Sequence, residues 1–186
     1  ANGVGKSTLL RVLAGLSPVS QGSVTWNGFD RIALPSTGAP VAYVGHQSGL
    51  YTNLSVGRYL ERLIALNPHT NTAADKLPGL LEASGLKGLE QQLCAALSAG
   101  QKKRLALVRC VLLDYPVWLL DEPFSSLDTA GQQWLKGALE RHCDAGGLLV
   151  YTDHQAVFHS TACLDLSDHT KIDADVFSLE AWDVSL

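Results

Sequence analysis

Asn2-Gly3-Val4-Gly5-Lys6-Ser7-Thr8 reads as the second half of the pattern G-x-x-x-x-G-K-[ST], its first glycine missing because the chain opens one residue too late. Such a loop turns several backbone N–H groups inward onto phosphate oxygens, and glycine accepts the positive φ and the close approach this needs. Asn2 to Thr8 are therefore the candidate nucleotide-binding residues. Lys6 would reach the β- and γ-phosphates, Ser7 would give its hydroxyl to Mg²⁺, and the following helix would aim its N-terminus at the anion. A glycine-rich turn before a helix is the plainer alternative, and only further motifs in the right order can exclude it.

The 186 residues suit one domain with a sizeable core. A 46% share of hydrophobic and 17% of charged residues fits an α/β protein, and a formal net charge of −4 argues against nucleic acid as a partner. No apolar run is long enough to span a bilayer; the best, Leu105 to Leu113, is short and contains Arg109. Cys94, Cys110, Cys143 and Cys163 are scattered without a C-x-x-C pair, so reduced thiols are expected rather than a zinc site or disulfide framework. The chain has no methionine and starts inside a motif, and on that ground it is expected to be a fragment lacking the strand that feeds the loop.

Along the chain, helix is expected from Ser7 to Ala14, with Gly15 as its stop and Pro18 soon after. Gly22 to Gly28 reads as a short strand, Asp30 to Pro40 as loop, and Val41 to Val44 as a buried strand. Helical spacing recurs over Ser55–Leu66, over a stretch around Pro78 ending near Gly85, and most clearly over Ser98–Leu113, where Lys102, Lys103 and Arg104 crowd one early turn. Val117 to Leu120 has the continuous apolar profile of a strand buried on both faces. A helix over Thr129–His142, a buried strand over Gly147–Thr152, a short helix over Gln155–Ser160 and an acidic tail follow. Strands alternating with helices predict a mostly parallel sheet covered by helices.

Strand 117–120 ends in Asp121-Glu122-Pro123, and the carboxyl end of a central strand is where open α/β sheets bind ligands. Asp121 would hold Mg²⁺, while Glu122 would orient or deprotonate the water that attacks the γ-phosphate. Leu97-Ser98-Ala99-Gly100-Gln101 stands at a helix start, where Ser98 is a natural N-cap and free N–H groups can take an anion.

With that string between the phosphate loop and the carboxylate pair, the chain resembles the ATP-binding subunits of ABC transporters, whose signature is L-S-G-G-Q. The resemblance implies a P-loop NTPase fold, one domain over 1–186 whose N-terminal strands lie upstream, with a helical subdomain over roughly 50–113 carrying the signature. It implies that Ser98, Gly100 and Gln101 serve the nucleotide of an opposite subunit, and that Gln47 contacts Mg²⁺ and the attacking water. It further implies that Asp128, in Ser126-Leu127-Asp128, belongs to a loop crossing the dimer interface, and that His154 contacts the γ-phosphate. The other histidines are expected to be surface residues, His142 among them, apart from His46 beside Gln47.

Gly45-His46-Gln47-Ser48-Gly49-Leu50, Leu120-Asp121-Glu122-Pro123-Phe124 and Thr152-Asp153-His154-Gln155 are most similar to the CcmA-type ATPases of bacterial cytochrome c maturation. Arg58-Tyr59 after the glutamine loop and Asp153 before the histidine depart from the commoner residues. This resemblance implies ATP and Mg²⁺ as cofactors, a homodimer, an integral membrane permease (CcmB-like, with a CcmC-like partner), and a place on the cytoplasmic face of the bacterial inner membrane. An ATPase of another ABC exporter stays open. So does a soluble ABC protein acting on ribosomes or DNA, against which stand the short interval from glutamine loop to signature and the negative charge. A nucleotide-binding regulator without turnover is disfavoured by Glu122 and His154 together.

Lys6→Ala deletes a charge facing the triphosphate and is expected to weaken ATP binding as well as hydrolysis. Titration with labelled ATP measures this, and unchanged affinity would refute the phosphate-loop reading.

Overall fold

The computed structural model describes residues 4–26, 29–30, 41–46, 48–67, 73–153, 158, 162–164 and 166. The chain divides into one unit of Ala1–Ala39 with Ser160–Leu186, and a second of Pro40–His159. In the first, α1 (Lys6–Leu13) follows the phosphate loop and buries Leu10. The strands β1 (Thr25–Trp26) and β2 (Phe29–Asp30) pair antiparallel, Trp26 against Phe29. Asp30 is therefore a strand residue rather than the first of a loop, because pairing with Thr25 supplies its backbone with partners that composition cannot reveal.

The second unit is built on three parallel strands in the order β3 (Val41–Val44), β4 (Val117–Asp121) and β5 (Leu148–Thr152). Every residue of β4 is buried, as its unbroken apolar run requires. β5 is only half-buried along its length, which corrects the expectation of a buried strand; among the described residues it pairs on one side alone, with β4. The remaining helices of this unit are α2 (Val56–Leu66), α3 (Ala73–Ala83), α4 (Ala99–Leu113) and α5 (Thr129–Asp144). Ser55 caps α2 by accepting from the Arg58 amide, and Asp128 caps α5 by accepting from the Gly131 amide. Pro78 lies inside α3; the carbonyl its missing N–H leaves free is that of Ala74, on an exposed turn that water can reach. The short helix expected over Gln155–Ser160 and the acidic tail lie outside the described residues.

Two hydrophobic clusters meet on α4. Ala106, Leu107 and Cys110 join Ala42, Val44, Trp118, Leu120, Leu135 and Leu139, uniting the helix with the sheet and α5. On its other side Leu105, Val108 and Leu112 join Val56, Tyr59, Leu60, Leu81 and Leu86, uniting it with α2 and α3. Leu105, Leu107, Leu119, Leu120 and Leu139 are fully buried, and truncating such a leucine to alanine costs about 2–5 kcal/mol. Burial pushes the Cys110 thiol up to about 11, so it stays protonated and acts as a small apolar filler. No helix among the described residues is long and apolar enough to cross a membrane.

His142, expected at the surface, is 8% exposed. Its ring stacks on Trp118 with centroids 4.0 Å apart, and its Nε2 donates to the Leu148 carbonyl at 3.2 Å. The stack fills the end of the sheet where β5 begins, and that burial outweighs the polarity on which the surface expectation rested. Burial holds the imidazole below the ordinary histidine value of 6.5, with the Leu148 carbonyl and the charge of Asp114 opposing it. The unfolded chain therefore binds the proton more readily. Stability contributed by this group is present above about 6.5 and is lost as pH falls through the depressed folded value. His142→Phe keeps a stacked ring without a titrating nitrogen. Over that window its thermal midpoint is expected to fall less with pH than that of the unaltered protein, and parallel curves would contradict the assignment.

Candidate nucleotide site

The phosphate loop is described from Val4. Gly5, the N-cap of α1, has φ 95° and ψ 6°, a left-handed conformation that a side chain would strain. Among the described residues it offers no side-chain cap, and no acidic residue stands in the first turn of α1. Lys6 and Ser7 open this helix, with Ser7 exposed. Asn2 and Gly3 lie outside the described residues, as do Gln47 and His154. Within β3, the Tyr43 carbonyl accepts from the Arg109 guanidinium of α4 at 2.6 Å, tying that strand to the signature helix.

The second unit gathers Asp121, Glu122, the signature and Asp128. Ser98 and Gln101 form a reciprocal capping box: the Ser98 hydroxyl accepts from the Gln101 amide at 3.2 Å and the Gln101 Oε1 from the Ser98 amide at 2.9 Å. The Gln101 side chain is thus engaged locally, while the Ala99 and Gly100 amides have no acceptor within the helix. A Cβ on Gly100 would come 2.7 Å from the Ser126 carbonyl oxygen, so glycine is what lets the helix start close on the loop after β4. That loop has Glu122 at φ 45° and Ser126 at φ 63°, both left-handed and unfavourable for residues with side chains. Asp128 at its far end pairs with Arg104 of α4, which also reaches the Ser84 carbonyl at 3.3 Å. The Gly131 amide first, and then Arg104, hold the Asp128 carboxyl below the usual aspartate range.

Two further residues fix the carboxylate pair. Asp121 and Thr152 are register partners across β4 and β5. The Thr152 hydroxyl donates to Asp121 Oδ1 at 2.7 Å and accepts from the Glu122 amide at 3.0 Å, so one side chain orients both. The Glu122 carbonyl accepts from the Ser125 hydroxyl at 2.8 Å and from the Ser125 amide at 3.1 Å. From α4, Lys103 Nζ donates to the Asp121 carbonyl at 2.9 Å. Burial pushes this ammonium below the ordinary lysine range, and the charges of Asp121 and then Glu122 pull it back up. Sequence reasoning assigned neither Thr152 nor Lys103. The usable signals were a hydroxyl at the end of a neighbouring parallel strand and a lysine one helical turn into the signature helix.

Comparison with known proteins bears on what such a loop, capped helix and paired carboxylates belong to. The family model described as ABC transporter matches residues 1–125. The chain belongs to the ABC transporter ATPase family. Among its relatives, the cytochrome c biogenesis ATP-binding export protein CcmA of Saccharophagus degradans is 38% identical, the match covering 84% of this chain and 73% of that protein. The protein of the same name from Methylococcus capsulatus is 40% identical over 90% of this chain and 81% of its own length. A solved ATP-binding subunit of an ABC transporter superposes with a TM-score of 0.74 at 27% identity, over 83% of this chain and 65% of that one. The parallel sheet with its helices is thus the fold of the ATP-binding subunits in this family, and the family's reaction is ATP hydrolysis.

Thr152→Val removes both hydrogen bonds at nearly constant shape. The expected result is a loss of about 1–3 kcal/mol of stability, since the Glu122 amide is left without that acceptor, and a lowered turnover for ATP. Thr152→Ser is expected to retain both. Thermal unfolding and steady-state ATPase assays on the three forms decide it, and a Val variant equal to the unaltered protein in both would contradict the role.

Proposed function

We propose that the chain is the ATP-hydrolysing subunit of a cytochrome c biogenesis exporter of the CcmA type. The carrying observation is the identity of about 40% to CcmA proteins over most of the chain, which includes the signature and the Asp121-Glu122 pair. In this reading the phosphate loop, Asn2 to Thr8, holds the triphosphate of ATP, and Asp128 with Ser98, Gly100 and Gln101 faces the nucleotide of a second copy. Glu122 takes the proton of the attacking water, and its amide and carbonyl are both tied down so that the carboxylate need not be organised during the reaction. Gln47 and His154 are assigned to orient that water and to meet the γ-phosphate.

The donors assigned here are oxygens, the kind that Mg²⁺ prefers. Among the described residues no group of three or more His, Cys, Asp or Glu side chains could hold a metal. In this reading the Asp121 carboxylate, the Ser7 hydroxyl and the Gln47 side chain would hold the ion together with substrate phosphates, and a donor set of this kind needs no such group. When bound, Mg²⁺ supplies charge neutralisation of the phosphates. The partners proposed are a second copy of this chain and a membrane permease, CcmB-like with a CcmC-like protein. Haem handling is the outcome, and the cytoplasmic face of the inner membrane is the location.

In a bacterium whose own CcmA-type ATPase is deleted, the complete protein is expected to restore haem-stained c-type cytochromes, whereas Glu122→Gln binds ATP without restoring them. Full rescue by the Gln form would remove Glu122 from its role, and no rescue by the unaltered protein would remove the assignment to cytochrome c biogenesis.

A further inference from the structure

We propose that Lys103 is a positioning residue for hydrolysis, holding from the signature helix the peptide that joins Asp121 to Glu122. The proposal rests on the reading of Glu122 given above.

Lys103 is 4% exposed, on a helix whose buried positions just beyond, Leu105 to Val108, are leucine, alanine and valine. Burying an ammonium is costly unless it is paired, and an apolar side chain would fill this place without that cost. What the ammonium gains is specific. It donates to the Asp121 carbonyl at 2.9 Å, and its charge lies near the carboxylates of both Asp121 and Glu122.

That carbonyl belongs to the peptide whose N–H is the Glu122 amide. The amide donates to Thr152, so the same peptide plane is gripped at its oxygen from α4 and at its nitrogen from β5. Beyond it Glu122 adopts φ 45°, a conformation that persists in a non-glycine residue only when its surroundings over-determine it. Lys103 supplies the grip from the helix that begins with Ser98, Ala99 and Gly100. The rigid signature helix is therefore tied to the peptide carrying the catalytic base through one buried side chain.

The test is a double-variant cycle on the complete protein, using Mg²⁺-ATP as substrate and labelled ATP for affinity, at a temperature where the thermal transitions show every form folded. Lys103→Met keeps the length and removes donor and charge. It is expected to lower kcat roughly ten- to hundredfold, the scale of a small misplacement in an active site. ATP affinity should stay within about twofold, because the triphosphate is not its partner. Lys103→Arg, which keeps charge and donors, is expected to recover most of kcat, and Lys103→Gln, shorter and uncharged, to lose turnover at the same affinity. In a Glu122→Gln background, Lys103→Met should change the residual rate by no more than about twofold, since a residue acting through Glu122 has nothing left to position.

Normal kcat in Lys103→Met, a loss explained by weaker ATP binding, or losses that multiply in the double variant would each overturn the proposal. Normal turnover by Glu122→Gln alone would remove the role of Glu122 and this inference with it. An inactive Glu122→Gln beside a fully active Lys103→Met would remove this inference alone.

Discussion

Helix α4 has no exposed residue from Lys103 to Leu113. It is the shared wall of both clusters, touching the sheet and α5 on one side and α2 with α3 on the other. Close packing makes such a helix stiff, because any shift opens gaps in two cores at once. Its N-terminus is consequently a fixed point, and the loop after β4 is built against it. Gly100 admits the Ser126 carbonyl, Arg104 holds Asp128, and Lys103 holds Asp121.

The same constraint explains how two adjacent carboxylates are kept in order at the end of a buried strand. Like charges side by side repel, and Asp121 is only 3% exposed. The surroundings offset this with protein donors: the Thr152 hydroxyl on the Asp121 carboxylate, and the Lys103 ammonium on the backbone close by. Each bond to a charged group is worth roughly 1.5–3 kcal/mol, enough together to hold the left-handed turn at Glu122. Preorganisation of this kind suits phosphoryl transfer, where positioning and electrostatics provide nearly all of the acceleration.

What was legible in the sequence was what is written contiguously. The phosphate loop, the signature and the strand ending in Asp121-Glu122 each place their chemistry within a few neighbouring residues, so backbone geometry alone brings the groups together. The ABC transporter family and the parallel α/β sheet followed from those strings and from the alternation of apolar runs. The capping box at Ser98 and Gln101 was half legible: Ser98 was recognised as a cap, while the engagement of Gln101 by the same box was not.

The rest was decided by distance in space between residues far apart in the chain. Thr152 meets Asp121 because the parallel register of β5 on β4 sets them side by side, and a parallel register is carried by no local turn. Lys103 stood in the sequence only as one of three basic residues crowding an early turn, and His142 as a surface histidine at a helix end. On a helix buried on two sides, polarity no longer marks the outward face, so nothing in the spacing of α4 distinguishes an inward lysine from an outward one. His142 is drawn inward by Trp118, whose place on β4 the sequence showed without showing which helix would cover it. Sequence by itself determined the family and the order of the elements; the tertiary structure alone decided which distant side chains hold Asp121 and Glu122 in place, because packing two cores against α4 fixes contacts that local periodicity does not encode.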